Sequence, residues 1–157
     1  MRELIIFITG VSGVGKSSVV PKLRELMPSF AIHDFDEVGV PEDVDVAWRL
    51  KTTDHWLKQA KENMSQGKST IICGVSKPEE VLDSSEFSHT LNLRFGLIKI
   101  SDSLIRERLT ERGNEIELIQ DNINWANILE KEVKATKNHS IINGEQELSA
   151  IANDIIQ

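Results

Sequence analysis

The sequence predicts an α/β fold, a five-stranded parallel sheet flanked by helices in three layers. Three observations carry that expectation. Apolar runs of strand length alternate with segments of helical periodicity along the 157 residues, the pattern that right-handed strand–helix–strand crossovers produce. Two of these runs, Leu4–Thr9 and Ser69–Gly74, are continuous rather than alternating, as strands covered on both faces are. The first run passes directly into a glycine-rich loop and then a helix, and sheets of this kind bind ligands beyond the carboxyl ends of their strands.

Each element has its own signal. Leu4-Ile5-Ile6-Phe7-Ile8-Thr9 is the first strand. Ser18-Val19-Val20, Leu23, Leu26 and Met27 take helical spacing, with Pro21 near the first turn, where it is tolerated, and Pro28 as terminator. Phe30–His33 is a second strand that runs into Asp34-Phe35-Asp36-Glu37. Gly39, Pro41, Glu42, Asp43 and Asp45 mark a loop before a helix with Trp56, Ala60 and Met64 on one face, ended by Gly67. The Ser69–Gly74 run is the third strand, and Lys77–Glu80 opens a short helix. Arg94–Ile100 is the fourth strand. Ser101 or Asp102 caps a helix with Leu104, Ile105 and Leu109 and three arginines, broken at Gly113-Asn114. A longer helix carries Ile116, Ile119, Ile123 and Ala126 in one stripe, with Leu118, Trp125, Leu129 and Val133 beside it. Ser140–Ile142 is the last strand, Asn143-Gly144 turns the chain, and Glu145–Ile156 forms a closing helix.

Composition narrows the function classes. The length fits one domain with its own core. A net charge of −7 without a basic stripe argues against nucleic acid as a partner. The lone cysteine, Cys73, excludes an internal disulfide and a cysteine zinc cluster, and it reads as a core residue. His33, His55, His89 and His139 have no metal-ligand spacing. No apolar run reaches the length of a membrane span, and Leu4–Thr9 is short for a signal peptide, so a cytoplasmic protein is expected.

The chemistry concentrates at Gly10-Val11-Ser12-Gly13-Val14-Gly15-Lys16-Ser17, a G-x-x-x-x-G-K-S stretch between a strand and a helix. That context is the one a phosphate-cradling P-loop requires. Backbone N–H groups from Gly10 to Ser18 would hold the phosphates of ATP, and the glycines leave no Cβ in the way. The following helix adds the partial positive charge of its N-terminus. The motif gives Gly10, Ser12, Gly13, Val14, Gly15, Lys16, Ser17 and Ser18 as nucleotide-binding, with Lys16 on the β- and γ-phosphates and the Ser17 hydroxyl on Mg²⁺.

Together with Asp34-Phe35-Asp36, Gly74 after the third strand and the helix of Arg106, Arg108 and Arg112, this motif resembles the small P-loop kinases. That group includes nucleoside, nucleoside-monophosphate, shikimate and gluconate kinases. The resemblance implies a single domain over residues 1–157, with a helical substrate insert at about 37–66 and a lid at about 102–114. It implies that Asp34 sits near Mg²⁺ and the attacking hydroxyl, as metal ligand and catalytic acid–base group, and that Asp36 helps hold the acceptor. Arg108 and Arg112, four apart on one helix face, would offset charge on the transferring phosphoryl group. Arg49 would meet an anionic group of the acceptor, and Gly74 would let backbone approach it. A single arginine in the insert favours a nucleoside, a sugar acid or another acceptor with one anionic group or none. Trp48 could line that pocket, although such a tryptophan is more often core. The base of ATP would lie near the lid and the Asn143-Gly144 turn. The activity implied is transfer of the γ-phosphoryl group of ATP to a small acceptor. The alternative is a nucleotide-binding switch or regulatory ATPase without one. The third strand ends in Cys73-Gly74 without the acid such machines carry there, which speaks against the alternative.

Overall fold

Ile5–Thr9 forms β1 at the centre of a five-stranded sheet, and all five of its residues are buried. Ala31–Asp34 (β2), Thr70–Cys73 (β3), Leu93–Lys99 (β4) and His139–Asn143 (β5) complete it. The order is β2–β3–β1–β4–β5, and every neighbouring pair is parallel. The computed structural model describes residues 3–11, 16–74 and 76–156, with the side chains of 16 and 17 outside that description. The expected fold class is therefore the observed one.

Among the described residues six α-helices connect and flank the strands: Lys16–Leu26 (α1), Val46–Ser65 (α2), Pro78–Leu82 (α3), Asp102–Glu111 (α4), Ile116–Lys134 (α5) and Leu148–Ile156 (α6). A 3₁₀ turn covers Phe35–Val38. Helix α1 packs beside α6, while α3 touches both α2 and α5. The central strands β1 and β3 are wholly buried, and the edge strand β5 is mostly exposed. Continuous apolar runs in the middle and a sparser edge follow from that placement. Phe7, Phe35, Leu23, Leu57 and Leu129 are among the largest fully buried side chains. Phe7 meets Phe95 of β4 with ring centroids 6.2 Å apart.

Helices α2 and α4 end in the same way. Gly67 (φ +75°) donates to the Met64 carbonyl while Lys68 donates to Asn63. Gly113 (φ +82°) donates to Thr110 while Asn114 donates to Leu109. These are Schellman closures, which place a left-handed residue just past the helix and favour glycine there.

Several boundaries differ from expectation. Strand β2 runs one residue further, because Asp34 still pairs with Cys73 in the ladder. Pro21 falls in the second turn of α1, not the first. The inward stripe of α5 is Ile119, Ile123, Leu129 and Val133; Ile116, 81 % exposed, and Leu118 stand outside it. Helix α6 starts at Leu148, since the chain first turns through Glu145, whose N–H donates to Asn143 Oδ1. No described helix is long and apolar enough to cross a membrane.

Candidate functional site

Parallel pairing puts the carboxyl ends of all five strands on one edge. In register, Asp34 lies opposite Cys73, and Cys73 opposite Ile8. Asp34 is thus two strand spacings, about 10 Å, from β1. The glycine-rich stretch leaves β1 at buried Gly10 and Val11. Ser12, Gly13, Val14 and Gly15 and the side chains of Lys16 and Ser17 lie outside the described residues; the backbone of Lys16 and Ser17 opens α1. The ends of β1 and β3 are tied together. Gly74 N–H donates to the Ile8 carbonyl at 2.9 Å, and Ser76 N–H donates to the Thr9 hydroxyl at 3.3 Å.

Asp34 is held in place by its neighbours. It caps the 3₁₀ turn, with Oδ1 accepting from Asp36 N–H at 2.9 Å. Glu37 returns the interaction, its Oε1 accepting from Asp34 N–H at 2.9 Å, which makes a reciprocal capping box. The same carboxylate accepts from Arg24 Nη2 at 2.8 Å and lies 3.0 Å from His33 Nδ1. Arg24 also donates to the Ile32 carbonyl at 2.8 Å, so the guanidinium spans the last residues of β2. Burial pushes the Glu37 carboxyl up, but the Asp34 N–H, His33 and Arg24 outweigh it and hold Glu37 below its ordinary value. His33 stacks on Trp56 of α2 at 4.7 Å, and Trp56 Nε1 donates to the Phe35 carbonyl at 2.9 Å. The turn bearing Asp34 and Asp36 is clamped from α1 and α2 together. Asp36 itself is exposed.

Gly74 has a packing reason that the sequence did not disclose. A Cβ built there would stand 2.3 Å from Phe35 Cβ. The close approach that demands glycine is thus made by Phe35, immediately after Asp34. Trp48 meets Phe35 edge-on at 5.8 Å and packs on the core, as its commoner role predicted. Arg49 is engaged with Glu80 of α3: Nη2 donates to Oε1 at 2.8 Å and Nε at 3.1 Å.

The three arginines lie in the helix that follows β4, Arg106 and Arg108 within α4 and Arg112 as its C-cap. Arg106 donates to Gln120 of α5 at 3.0 Å. Arg108 is half-buried, and Arg112 is the exposed C-cap of α4, next to Gly113. Helices α4 and α5 pack together as a hairpin joined by residues 112–115. The Asn143-Gly144 turn lies against β4, where Gly144 N–H donates to the Lys99 carbonyl at 2.8 Å. A cavity of about 590 Å³, lined by Leu82, Phe87, Leu93 and Phe95 among others, opens at the opposite, amino end of β4.

The edge offers hard oxygen donors, Asp34 and Asp36, with Asp34 two strand spacings from the strand that leads into the glycine-rich stretch. No cluster of three or more His, Cys, Asp or Glu forms a cage among the described residues. One or two carboxylates, with phosphates and water completing the shell, is a donor set that suits Mg²⁺.

The sheet order, the glycine-rich stretch after β1 and the helical hairpin after β4 define a class: the chain has the fold of the small P-loop kinases. Among solved structures it is similar to a gluconokinase from Sinorhizobium meliloti 1021, with TM-score 0.66 and 20 % identity, covering 99 % of this chain and 91 % of that one. It is similar to shikimate kinase from Aquifex aeolicus (TM-score 0.65, 20 % identity, 97 % and 93 % covered). It is also similar to shikimate kinase from Acinetobacter baumannii in complex with shikimate (TM-score 0.67, 13 % identity, 100 % and 92 % covered). At these identities the likeness is one of fold. No protein-family model matches the chain, and no curated protein does.

Sequence reasoning missed Arg24, Glu37, His33 and Trp56 around Asp34, and Glu80 opposite Arg49. For Glu37 a signal existed: an acid three residues after an N-cap Asp is the capping-box spacing. His33 pairs with Glu37 only four residues on, whereas the contacts of Arg24, Trp56 and Glu80 join positions too far apart for any local pattern.

Proposed function

We propose that this chain is a phosphotransferase that moves the γ-phosphoryl group of ATP to a small-molecule hydroxyl acceptor. One observation carries the reading: the G-x-x-x-x-G-K-S stretch leaves β1 at the same sheet edge on which β2 ends in a clamped Asp34. The glycine-rich stretch and the N-terminus of α1 would hold the triphosphate. Lys16 would offset charge on the transferring group, and Asp34 would orient the acceptor hydroxyl and take its proton. Asp36 would help hold the acceptor. Mg²⁺, held by Ser17 and Asp34, would neutralise phosphate charge when bound. Residues 37–66 would serve as the acceptor insert and 102–114 as a lid whose Arg108 and Arg112 close over the phosphates. Excluding water matters because water would otherwise be the acceptor.

Lys16→Ala is expected to remove ADP release while leaving the folded circular-dichroism signal intact. Wild-type kcat in that variant rules the charge-offsetting role out. Asp34→Asn keeps a residue equally good as an N-cap, so the turn is retained while the carboxylate is lost. It is expected to lower kcat by roughly 10²–10⁴-fold with ATP affinity nearly unchanged.

A further inference from the structure

We propose that the acceptor of this chain is a hydroxyl compound without an anionic group, because the one arginine of the insert is locked to Glu80. The inference rests on the phosphotransferase reading and narrows it.

Arg49 donates from Nη2 to Glu80 Oε1 at 2.8 Å, and from Nε to both carboxylate oxygens at 3.1 and 3.3 Å. The two side chains are only 22 % and 12 % exposed. Turning Arg49 toward an incoming carboxylate or phosphate would strand the Glu80 charge in a mostly buried place. Breaking such a pair from one side is strongly unfavourable. Glu80 sits on α3, so the pair bolts the insert to the helix that follows β3.

Two neighbouring cations, Arg24 and Lys77, are engaged too. Arg24 holds Glu37 and the Ile32 carbonyl. Lys77 lies 3.4 Å from Glu132 and over the Trp125 ring. Lys51 is two positions beyond Arg49 on α2, about 200° around the helix. It shares a face with Lys58, which feels Glu86 in the loop before β4, toward the far end of the sheet. Against these, with Glu37 taken by Arg24, residues 34–48 keep five further carboxylates, Asp34, Asp36, Glu42, Asp43 and Asp45, and no Lys or Arg. An anionic acceptor would meet like charge there. An uncharged polyol or nucleoside, or a cationic amino-polyol, would not.

The test uses the full chain with MgATP and matched acceptors: gluconate against sorbitol, shikimate against its methyl ester, adenosine monophosphate against adenosine, and an aminocyclitol. ADP release and saturation are measured for each. The expected result is stimulation by uncharged or cationic members, with kcat/KM for the anionic member of a pair lower by roughly a hundredfold or more, since like-charge juxtaposition is costly. Glu80→Gln, which conserves shape, frees the charge of Arg49 and is expected to narrow that gap by about tenfold or more. Anionic acceptors used as well as their neutral partners, or a gap unchanged in Glu80→Gln, overturns the inference and leaves the phosphotransferase reading standing. Calorimetric binding of MgATP with no acceptor of either kind stimulating ADP release overturns that reading, and the inference with it.

Discussion

Gly74→Ala tests how Asp34 is positioned. A Cβ at residue 74 would meet Phe35 Cβ at 2.3 Å and Phe35 Cγ at 3.2 Å. Carbon atoms rest at about 3.5–4.0 Å, so β3 and the 3₁₀ turn must part by roughly 1.2–1.7 Å. The nearest atom is a Cβ rather than the end of a flexible side chain, so rotamer changes give no relief. Trp56 bonds the Phe35 carbonyl and Trp48 meets its ring edge-on. Overpacking of this kind costs about 1–3 kcal/mol, from a total of about 5–15 kcal/mol. Chemical denaturation of the variant should show that loss. A double-mutant cycle identifies its source. Phe35→Ala removes the ring but keeps Cβ, so the cost of Gly74→Ala should persist in that background. Phe35→Gly removes the clashing atom, and the cost should nearly vanish. Gly74→Ala as stable as wild type within about 0.5 kcal/mol, or a cost already relieved by Phe35→Ala, would refute the reasoning. Turnover should fall along with stability, because Asp34 begins the displaced turn.

Glu37→Gln should cost roughly 0.5–1 kcal/mol at neutral pH, a modest figure because the carboxylate is partly solvated. Its folded-state pKa lies below the ordinary value of 4.5, so the unfolded chain binds the proton more readily. The stabilisation is therefore complete above that value and is lost as the pH falls through the depressed pKa. Denaturation curves from pH 7 to pH 3 should show wild type and variant converging at the acid end, and a constant difference would contradict the assignment. Trp56→Phe should cost about 1–3 kcal/mol by removing the buried Nε1–Phe35 hydrogen bond and leaving space. A variant with unchanged denaturation midpoint would show that this bond does not hold the turn.

The fold was legible because its signals are local. The short continuous runs Leu4–Thr9 and Ser69–Gly74 fit strands covered on both faces, which β1 and β3 are, and Gly67 and Gly113 close their helices at positions where the backbone turns left-handed. The misplaced boundaries have a common cause. Asp34 extends β2 because its ladder partner Cys73 is supplied by a strand 39 residues away. Ile116 looked like part of an inward stripe, but α5 begins beyond the core it packs on, so periodicity continued where burial did not.

The candidate site was legible only in part, and the missing part is pairing. The sequence displays Arg49 as a cation near an acidic segment, where it reads as a ligand for an anion, and it gives no partner for Arg24 or Lys77. Tertiary structure joins Arg24, Arg49 and Lys77 to Glu37, Glu80 and Glu132, at separations of 13, 31 and 55 residues. Once those pairs are formed, Arg24, Arg49 and Lys77 are engaged, and residues 34–48 keep Asp34, Asp36, Glu42, Asp43 and Asp45. Gly74 changes meaning in the same way. A small residue after a strand suggests room for a ligand, and here Phe35 occupies the room. Both reversals act on Asp34, whose turn is fixed by Phe35 packing from one side and by the Glu37 carboxylate from the other. In the proposed reaction a carboxylate held that firmly would need little reorganisation to meet a hydroxyl, the arrangement that positioning-based phosphoryl transfer requires.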